Sequence, residues 1–403
     1  MAGDNLKKSE KKYKTNMKIA IDASRANLEK KTGVEWYSHN LIQALKNIDK
    51  ENQYFLYSQN ELKNDLSNLP DNFYTRVLAW NRKKFWTQLK LWWHVNYDKN
   101  RVLFVPSGMI PVIPFRTFKL VTTIHDVCFL DHPEYYSKKD LIMQKIAFRL
   151  GVFFANKIIT VSEFSKQQII KYSNCRPGKI FVTHLGYDKN IYKKINNNDF
   201  FDRIKKKYSL PDKFILFIGR IEEKKNILNQ VKAFVKFNQK YLDYKFVLIG
   251  KPGYGYDSIK TEIFEQNLQK NLIELGYVNK DEIAPIINMA SVFLFVSNYE
   301  GFGIPIVEAM KCGTPVITSN MTSMPEVAGD AALYSEPNNI LKISENLCNV
   351  IENKDGIRDE LILKGFERAS LFDWEKCARE TLFVLKQLRK KTLREWIAEK
   401  TKR

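Results

Sequence analysis

The chain has 403 residues, more than the roughly 250–300 at which a single hydrophobic core stops growing, so two domains are expected. Apolar residues make up 44% and aromatics 13%, which excludes a disordered chain. Lys and Arg number 65 against 45 Asp and Glu, a formal net charge of +20 that argues against a cationic substrate and for anionic partners: nucleotides, phospholipid surfaces or nucleic acid.

Residues 1–16 are polar, Lys-rich and without periodicity, and read as a disordered leader. The apolar Ile19–Ile21 that follows is too short for a signal peptide. Lys18–Asp22 suits a buried strand, then comes Thr32-Gly33-Val34, then a helical pattern over Glu35–Leu45 with Trp36, Tyr37, Leu41, Ile42 and Leu45 as its apolar positions. Val102–Val105 and Leu120–Ile124 read as strands, Leu141–Asn156 as a helix and Lys157–Val161 as the next strand. The most apolar stretch, 142–161, is broken by Lys145, Arg149 and Lys157, and no run reaches the roughly 18 apolar residues of a membrane span.

Asn196–Asn198 and Lys205–Lys207 mark a polar, turn-rich stretch that reads as a linker at 196–210. A second alternating series follows. Its strands are Phe214–Ile218, Lys245–Ile249, Asn271–Leu275, Val292–Val296 and Pro315–Thr318. Its helices are Ile227–Phe237, Ile259–Leu268, Ile283–Ala290 and Ile306–Lys311. Strand–helix alternation implies parallel sheets with right-handed crossovers. The expected class is α/β, with doubly wound domains over 17–195 and 211–372 and a cleft between them, where ligands meet the carboxyl ends of the strands. The cysteines, Cys128, Cys175, Cys312, Cys348 and Cys377, never form a CxxC pair. They fit a reduced cytoplasmic chain with no zinc site or disulfide framework.

Three segments carry chemistry. In Ser297–Met310 a strand runs through a loop with Gly301 and Gly303 into a helix near Pro305, whose N-terminus can receive negative charge. Glu308 is expected in the first helical turn, facing the ligand, where a carboxylate can hold a diol such as ribose. Glu300, on the loop, can reach a second hydroxyl-rich group. The same residues also fit a plainer arrangement in which Glu308 complements the helix dipole and Glu300 is solvated. Arg220 and Lys225 flank a turn after the first strand of the second domain and suit two phosphate oxygens, or form an ordinary charged surface turn. His125-Asp126 ends a strand, where His125 can contact a reacting sugar or Asp126 orient it; a hydrogen-bonded core histidine is the alternative.

Together these segments resemble the retaining glycosyltransferases of family 4, which have the GT-B fold of two facing Rossmann-like domains. Glu300 through Glu308 matches that family's E-x7-E motif. The runs 309–319 and Ser323–Val327, Gly219-Arg220 with Lys225-Asn226, Thr160–Ser165 and Thr32–Val34 extend the match across nearly all of Met17–Leu385. The resemblance implies a hexosyltransferase that takes a nucleotide-diphosphate sugar as donor, uses no further cofactor, and acts on a glycan or lipid-linked glycan. It implies that Arg220 and Lys225 bind the diphosphate, Glu308 the ribose, and Glu300 with the Phe302 and Gly303 backbone the donor sugar. It places Gly33 near the diphosphate and His125 near the reacting face, with Asp126 beside it. It also implies that the last segment, 373–403, returns to the first domain. One departure is visible: many members carry an Arg in the Gly33 loop where this chain has Glu35-Trp36.

No two aspartates stand two residues apart, so there is no D-x-D metal motif, and the cationic role falls to Arg220, Lys225 and helix N-termini. Same-face attack, with the departing phosphate taking the proton, follows from the resemblance. The basic, aromatic Asn81–Trp93 would place Phe85, Leu89, Trp92 and Trp93 on one helical face, suited to an anionic membrane or to a core. Leu382–Ile397 shows the same ambiguity. The expected location is cytoplasmic, at the inner face of the cell membrane. A sugar-nucleotide epimerase or phosphorylase, or a basic nucleic-acid-binding protein, are the competing readings; no recognised nucleic-acid module is present, so no nucleic-acid partner is expected.

Overall fold

The computed structural model describes residues 16–80, 85–113 and 115–388. The proposed leader, apart from Asn16, therefore lies outside the described residues, as do Asn81–Lys84 and the end of the C-terminal segment, including Leu393 and Trp396.

Two all-parallel sheets form the molecule. The first contains β1 (Lys18–Asp22), β2 (Gln53–Ser58), β3 (Phe73–Val77), β4 (Val102–Val105), β5 (Lys119–Thr123), β6 (Lys157–Thr160) and β7 (Ile180–Val182), in the order β3-β2-β1-β4-β5-β6-β7. The second contains β8 (Phe214–Ile218), β9 (Lys245–Ile249), β10 (Leu272–Gly276), β11 (Val292–Phe295), β12 (Val316–Ser319) and β13 (Ala332–Ser335), in the order β10-β9-β8-β11-β12-β13. Helices cover both faces, so central strands such as FILFI and VFLF are apolar throughout. The second core is built on stacked aromatics, with Phe217 and Phe295 ring centroids 5.7 Å apart and Phe293 and Phe295 5.8 Å apart. Each sheet reverses its strand order beside its first strand, at β1/β4 and at β8/β11, and the crevice at such a point is where ligands sit.

The structure departs from the sequence reading in several places. Strands β2, β3, β7 and β13 join the predicted ones; they are short or mixed in polarity, and β3 is an edge strand with Tyr74 and Val77 exposed. The stretch read as turn-rich contains a helix, Asn198–Tyr208. Asn197 caps it by accepting the Phe200 N–H at 3.0 Å, Ile204 is buried, and Lys205–Lys207 fall in the last turn, where cations favour the helix dipole. The run of lysines was thus a helix C-terminus.

The basic aromatic segment is not one regular α-helix. Phe85 is left-handed (φ 69°), Trp86–Leu91 is a π-helix, and α-helix resumes at Trp92–Tyr97. Of the residues expected on one face, Phe85, Leu89 and Trp93 are exposed together and Trp92 packs partly on the core, while Trp86, Leu91 and Val95 are buried. Helix Trp374–Lys386 packs against the first-domain helix Gly33–Ile48, burying Leu382 and Leu385. At its start the chain presses on Gly186, where a Cβ would lie 2.1 Å from the Trp374 nitrogen.

Candidate active site

The site is assembled at the carboxyl ends of β5, β8 and β11. After β8 the chain makes a short turn, Glu223–Lys225, before helix Ile227–Asn238. Asn226, at φ 56°, ties this turn to the strand end opposite: its amide donates to the carbonyls of Val296 (3.1 Å) and Pro337 (2.8 Å). Gln230 donates to the Lys225 carbonyl at 2.7 Å and accepts the Val296 N–H at 3.1 Å, and the Asn298 N–H reaches the Lys224 carbonyl at 2.9 Å. These bonds set Lys225 beside Glu300. The Lys225 ammonium pairs with the Glu300 carboxylate and lies 5.4 Å from the Phe295 ring centroid, with both side chains nearly buried. Lys224 lies 3.8 Å from Glu222. Burial works against its charge, but Asp126, Glu222 and Glu300 outweigh it and hold the ammonium protonated well above the usual lysine range. Arg220 is half exposed, its Nε 3.7 Å from Glu222.

The Glu300 loop is fastened from both sides. The Ser323 hydroxyl lies 2.9 Å from the Glu300 carbonyl and 3.1 Å from that of Phe302. From the first domain, the Ser162 hydroxyl donates to the Gly301 carbonyl at 2.7 Å, while Ser165 Oγ lies 3.2 Å from both that oxygen and the His125 carbonyl. Gly301 is required by this approach: a Cβ there would meet the His125 carbonyl oxygen at 2.6 Å and Asp126 Cβ at 2.9 Å. His125 and Asp126 are thus brought directly against the Glu300 loop. The His125 Nε2 is 3.1 Å from the Pro106 carbonyl, and its ring meets Tyr37 edge-on at 4.6 Å. Burial lowers its pKa, so the imidazole is neutral. Asp126 accepts the Cys128 N–H at 3.1 Å.

Glu308 corrects the sequence reading. The helix begins at Ile304, after Gly303 (φ 96°), so Glu308 stands in the second turn, not the first. Pro305 has no N–H and the Ile306 N–H bonds to the Gly303 carbonyl at 3.0 Å. Burial pushes the Glu308 carboxyl up to about 8, against the opposing pull of a hydrogen bond from Tyr192 and the charge of Lys280. Lys280 itself bridges the lobes: it pairs with Asp188 at 2.8 Å and lies 4.1 Å from the ring centroid of Trp36 on the first-domain helix. Gly33 is the first residue of that helix, with open space where a Cβ would be. Glu35, the departure seen in the sequence, closes a capping box with Thr32 and holds Arg25 at 3.1 Å.

Several residues escaped sequence reasoning. Lys224, Tyr192, Lys280 and Ser162 lie far along the chain from the groups they serve. So does Glu326, whose carboxylate accepts the N–H groups of Glu163 (2.8 Å) and Phe164 (3.0 Å), capping a first-domain helix from the second domain, and meets His184 at 2.8 Å. Burial works against this carboxylate, yet His184 and the two N–H groups hold its pKa below the usual value. The local signal was the Ser162-Glu163 start of a helix, which announces a cap but not the distant carboxylate that accepts its N–H groups.

Residues 199–368 match the family described as "Glycosyl transferases group 1". Over 286 residues, 68% of this chain, the sequence is 32% identical to O-antigen chain mannosyltransferase B of Escherichia coli, covering 72% of that protein. It is 26% identical over 307 residues to O-antigen chain mannosyltransferase RfbU of Salmonella typhimurium, covering 75% of this chain and 78% of that one. The fold matches sucrose-phosphate synthase from Thermosynechococcus elongatus (TM-score 0.71, 18% identity, 93% of this chain and 99% of the other). It likewise matches Anabaena HepE in complex with UDP and glucose (TM-score 0.69, 20% identity, 92% and 99%). The two facing sheets are the GT-B fold, and with a mannosyltransferase aligned at 32% identity the chain belongs to the group 1 glycosyl transferases.

Proposed function

We propose that the protein transfers a hexose from a nucleotide-diphosphate sugar to a hydroxyl of a glycan or lipid-linked glycan, with retention at the anomeric carbon and without a divalent metal. The observation that carries this is the Lys225–Glu300 pair, with the charge of Lys224 nearby and His125-Asp126 packed against the Glu300 loop. Breaking a sugar–phosphate bond builds negative charge on the leaving diphosphate. In this reading Lys225 and Arg220, with the amides of the Gly301–Ile304 loop, meet it. A fixed donor of this kind contributes about 2–4 kcal/mol at the transition state. Glu300 accepts hydrogen bonds from the donor sugar's hydroxyls and Glu308 from the ribose. In this reading Gly33, the first residue of the opposing helix, with open space at its Cβ position, lies near the diphosphate. His125 and Asp126 border the reacting face. The acceptor attacks from the side on which the leaving group departs, and the phosphate takes its proton.

Mannose is the first donor sugar to test, since the relatives are named for mannosyl transfer. The protein would act on the cytoplasmic side of the cell membrane, where nucleotide sugars and lipid-linked acceptors meet. The experiment is a panel of nucleotide sugars assayed for hydrolysis and transfer, with and without chelator, and product anomers read by NMR. One sugar turned over with retained configuration and full rate in chelator supports the reading. Inversion, loss of rate in chelator, or turnover of none of the panel overturns it.

A further inference from the structure

Helix Lys138–Phe154 turns an apolar side to solvent. Of its 17 residues only Phe148 and Gly151 are buried. Ile142 is 58% exposed, Ile146 47% and Phe153 78%, at steps of four and seven residues that set them on one stripe. Lys138, Lys139 and Arg149, all exposed, flank that stripe. The helix has a single carboxylate, Asp140, which is drawn back into the N-cap by the Ser137 hydroxyl at 2.6 Å. Phe115, 84% exposed, stands at the far end of the stripe, where the adjoining Arg116 bonds the Phe154 carbonyl.

We propose that this stripe docks the protein on an anionic lipid surface, with Ile142, Ile146 and Phe153 entering the boundary between headgroups and acyl chains and the flanking cations meeting lipid phosphates. In the two segments whose sequences suggested a membrane contact, Trp86 and Leu91 face the first core and Leu382 and Leu385 pack on the first domain, while Phe85, Leu89 and Trp93 stay exposed. A second copy of the chain fits the stripe poorly, because a two-fold contact would set the same cations against each other. The stripe also begins beside the active site, since the Tyr135 hydroxyl, just before the helix, accepts a hydrogen bond from Asn298 at 3.0 Å. Docking there would hold the cleft at the surface. This inference rests on exposure and charge and stands apart from the donor-site reading.

The test is cosedimentation of the full chain with vesicles of phosphatidylglycerol and phosphatidylethanolamine, and with phosphatidylcholine alone, at low and physiological salt. The wild type should bind the anionic vesicles and release with salt. A triple variant, Ile142→Ser with Ile146→Ser and Phe153→Ser, should bind about tenfold or more weakly with an unchanged melting temperature. Lys139→Glu and Arg149→Glu should each weaken binding about fivefold or more. No wild-type binding at low salt, or equal binding by the triple variant, overturns the proposal. So does a dimer in light scattering that the triple substitution dissociates while vesicles bind neither form.

Discussion

If the Glu308 carboxylate grips the ribose, donor binding must first remove a proton. Its pKa is pushed up to about 8 by burial in the free protein. At pH 7 about one molecule in ten is then ionised, and the apparent affinity of a ligand that needs the carboxylate is reduced by that fraction, about tenfold. The donor Kd should therefore tighten about tenfold between pH 7 and pH 9 and weaken about tenfold again at pH 6. A nucleotide-diphosphate sugar has no phosphate that titrates in this range, so the change belongs to the protein. Isothermal titration calorimetry in two buffers of different ionisation heat should register about 0.9 proton released per donor bound at pH 7. Glu308→Gln should bind more weakly, by about 1–3 kcal/mol above pH 8, and lose the pH slope. The same shift has a consequence for the empty protein. A carboxyl whose pKa is higher folded than unfolded loses stability for the fold as pH rises from about 4.5 to about 8, because the unfolded chain gives up the proton first. Unliganded Glu308→Gln should accordingly match the wild type at pH 5 and exceed it by about 1–4 kcal/mol at pH 9. A donor Kd that is flat from pH 6 to 9, or that keeps its slope in Glu308→Gln, would refute the assignment.

Lys225→Ala should lower kcat about a hundredfold to a thousandfold in steady-state assays, with Lys225→Arg recovering part of it; an unchanged rate removes Lys225 from the diphosphate. Gly301→Ala puts a methyl group into the His125 carbonyl and should force the lobes apart, cutting kcat at least about tenfold while nucleotide affinity, measured by calorimetry, stays within about twofold. Equal losses in both would show that Gly301 serves the second domain alone. Glu326→Gln should cost about 1–2 kcal/mol in thermal unfolding at pH 7 through its weakened cap. Because the Glu326 pKa is lowered by folding, its contribution is present above the unfolded value of 4.5 and is lost as pH falls through the folded one. The gap between variant and wild type should therefore close in acid, and a gap that widens there contradicts the sign.

Much of the fold is legible because strands buried on both faces must be continuous apolar runs: Phe214–Ile218 and Lys245–Ile249 are read from sequence residue for residue. β3, at the sheet edge with only Phe73 buried, carries no such run. The Glu300–Glu308 loop is legible too, since its glycines and proline act locally on the backbone. A charge run such as Lys205–Lys207 misleads because a linker and a helix C-terminus share its composition.

From the residues alone come two domains, parallel sheets, the charged turn after the first strand of the second domain and the loop that carries Glu300, because each depends on neighbours within a few positions. Only the tertiary structure decided that Lys225 meets Glu300, 75 residues away, that Ser162 holds Gly301, 139 residues away, and that Glu326 caps a helix in the other domain. It also decided which side of helix Lys138–Phe154 faces water. A helix repeats its pattern whichever way it is turned, and only the sheet it packs on selects the buried side. Contacts across a seam likewise depend on how two surfaces far apart in the chain dock, which no local spacing encodes.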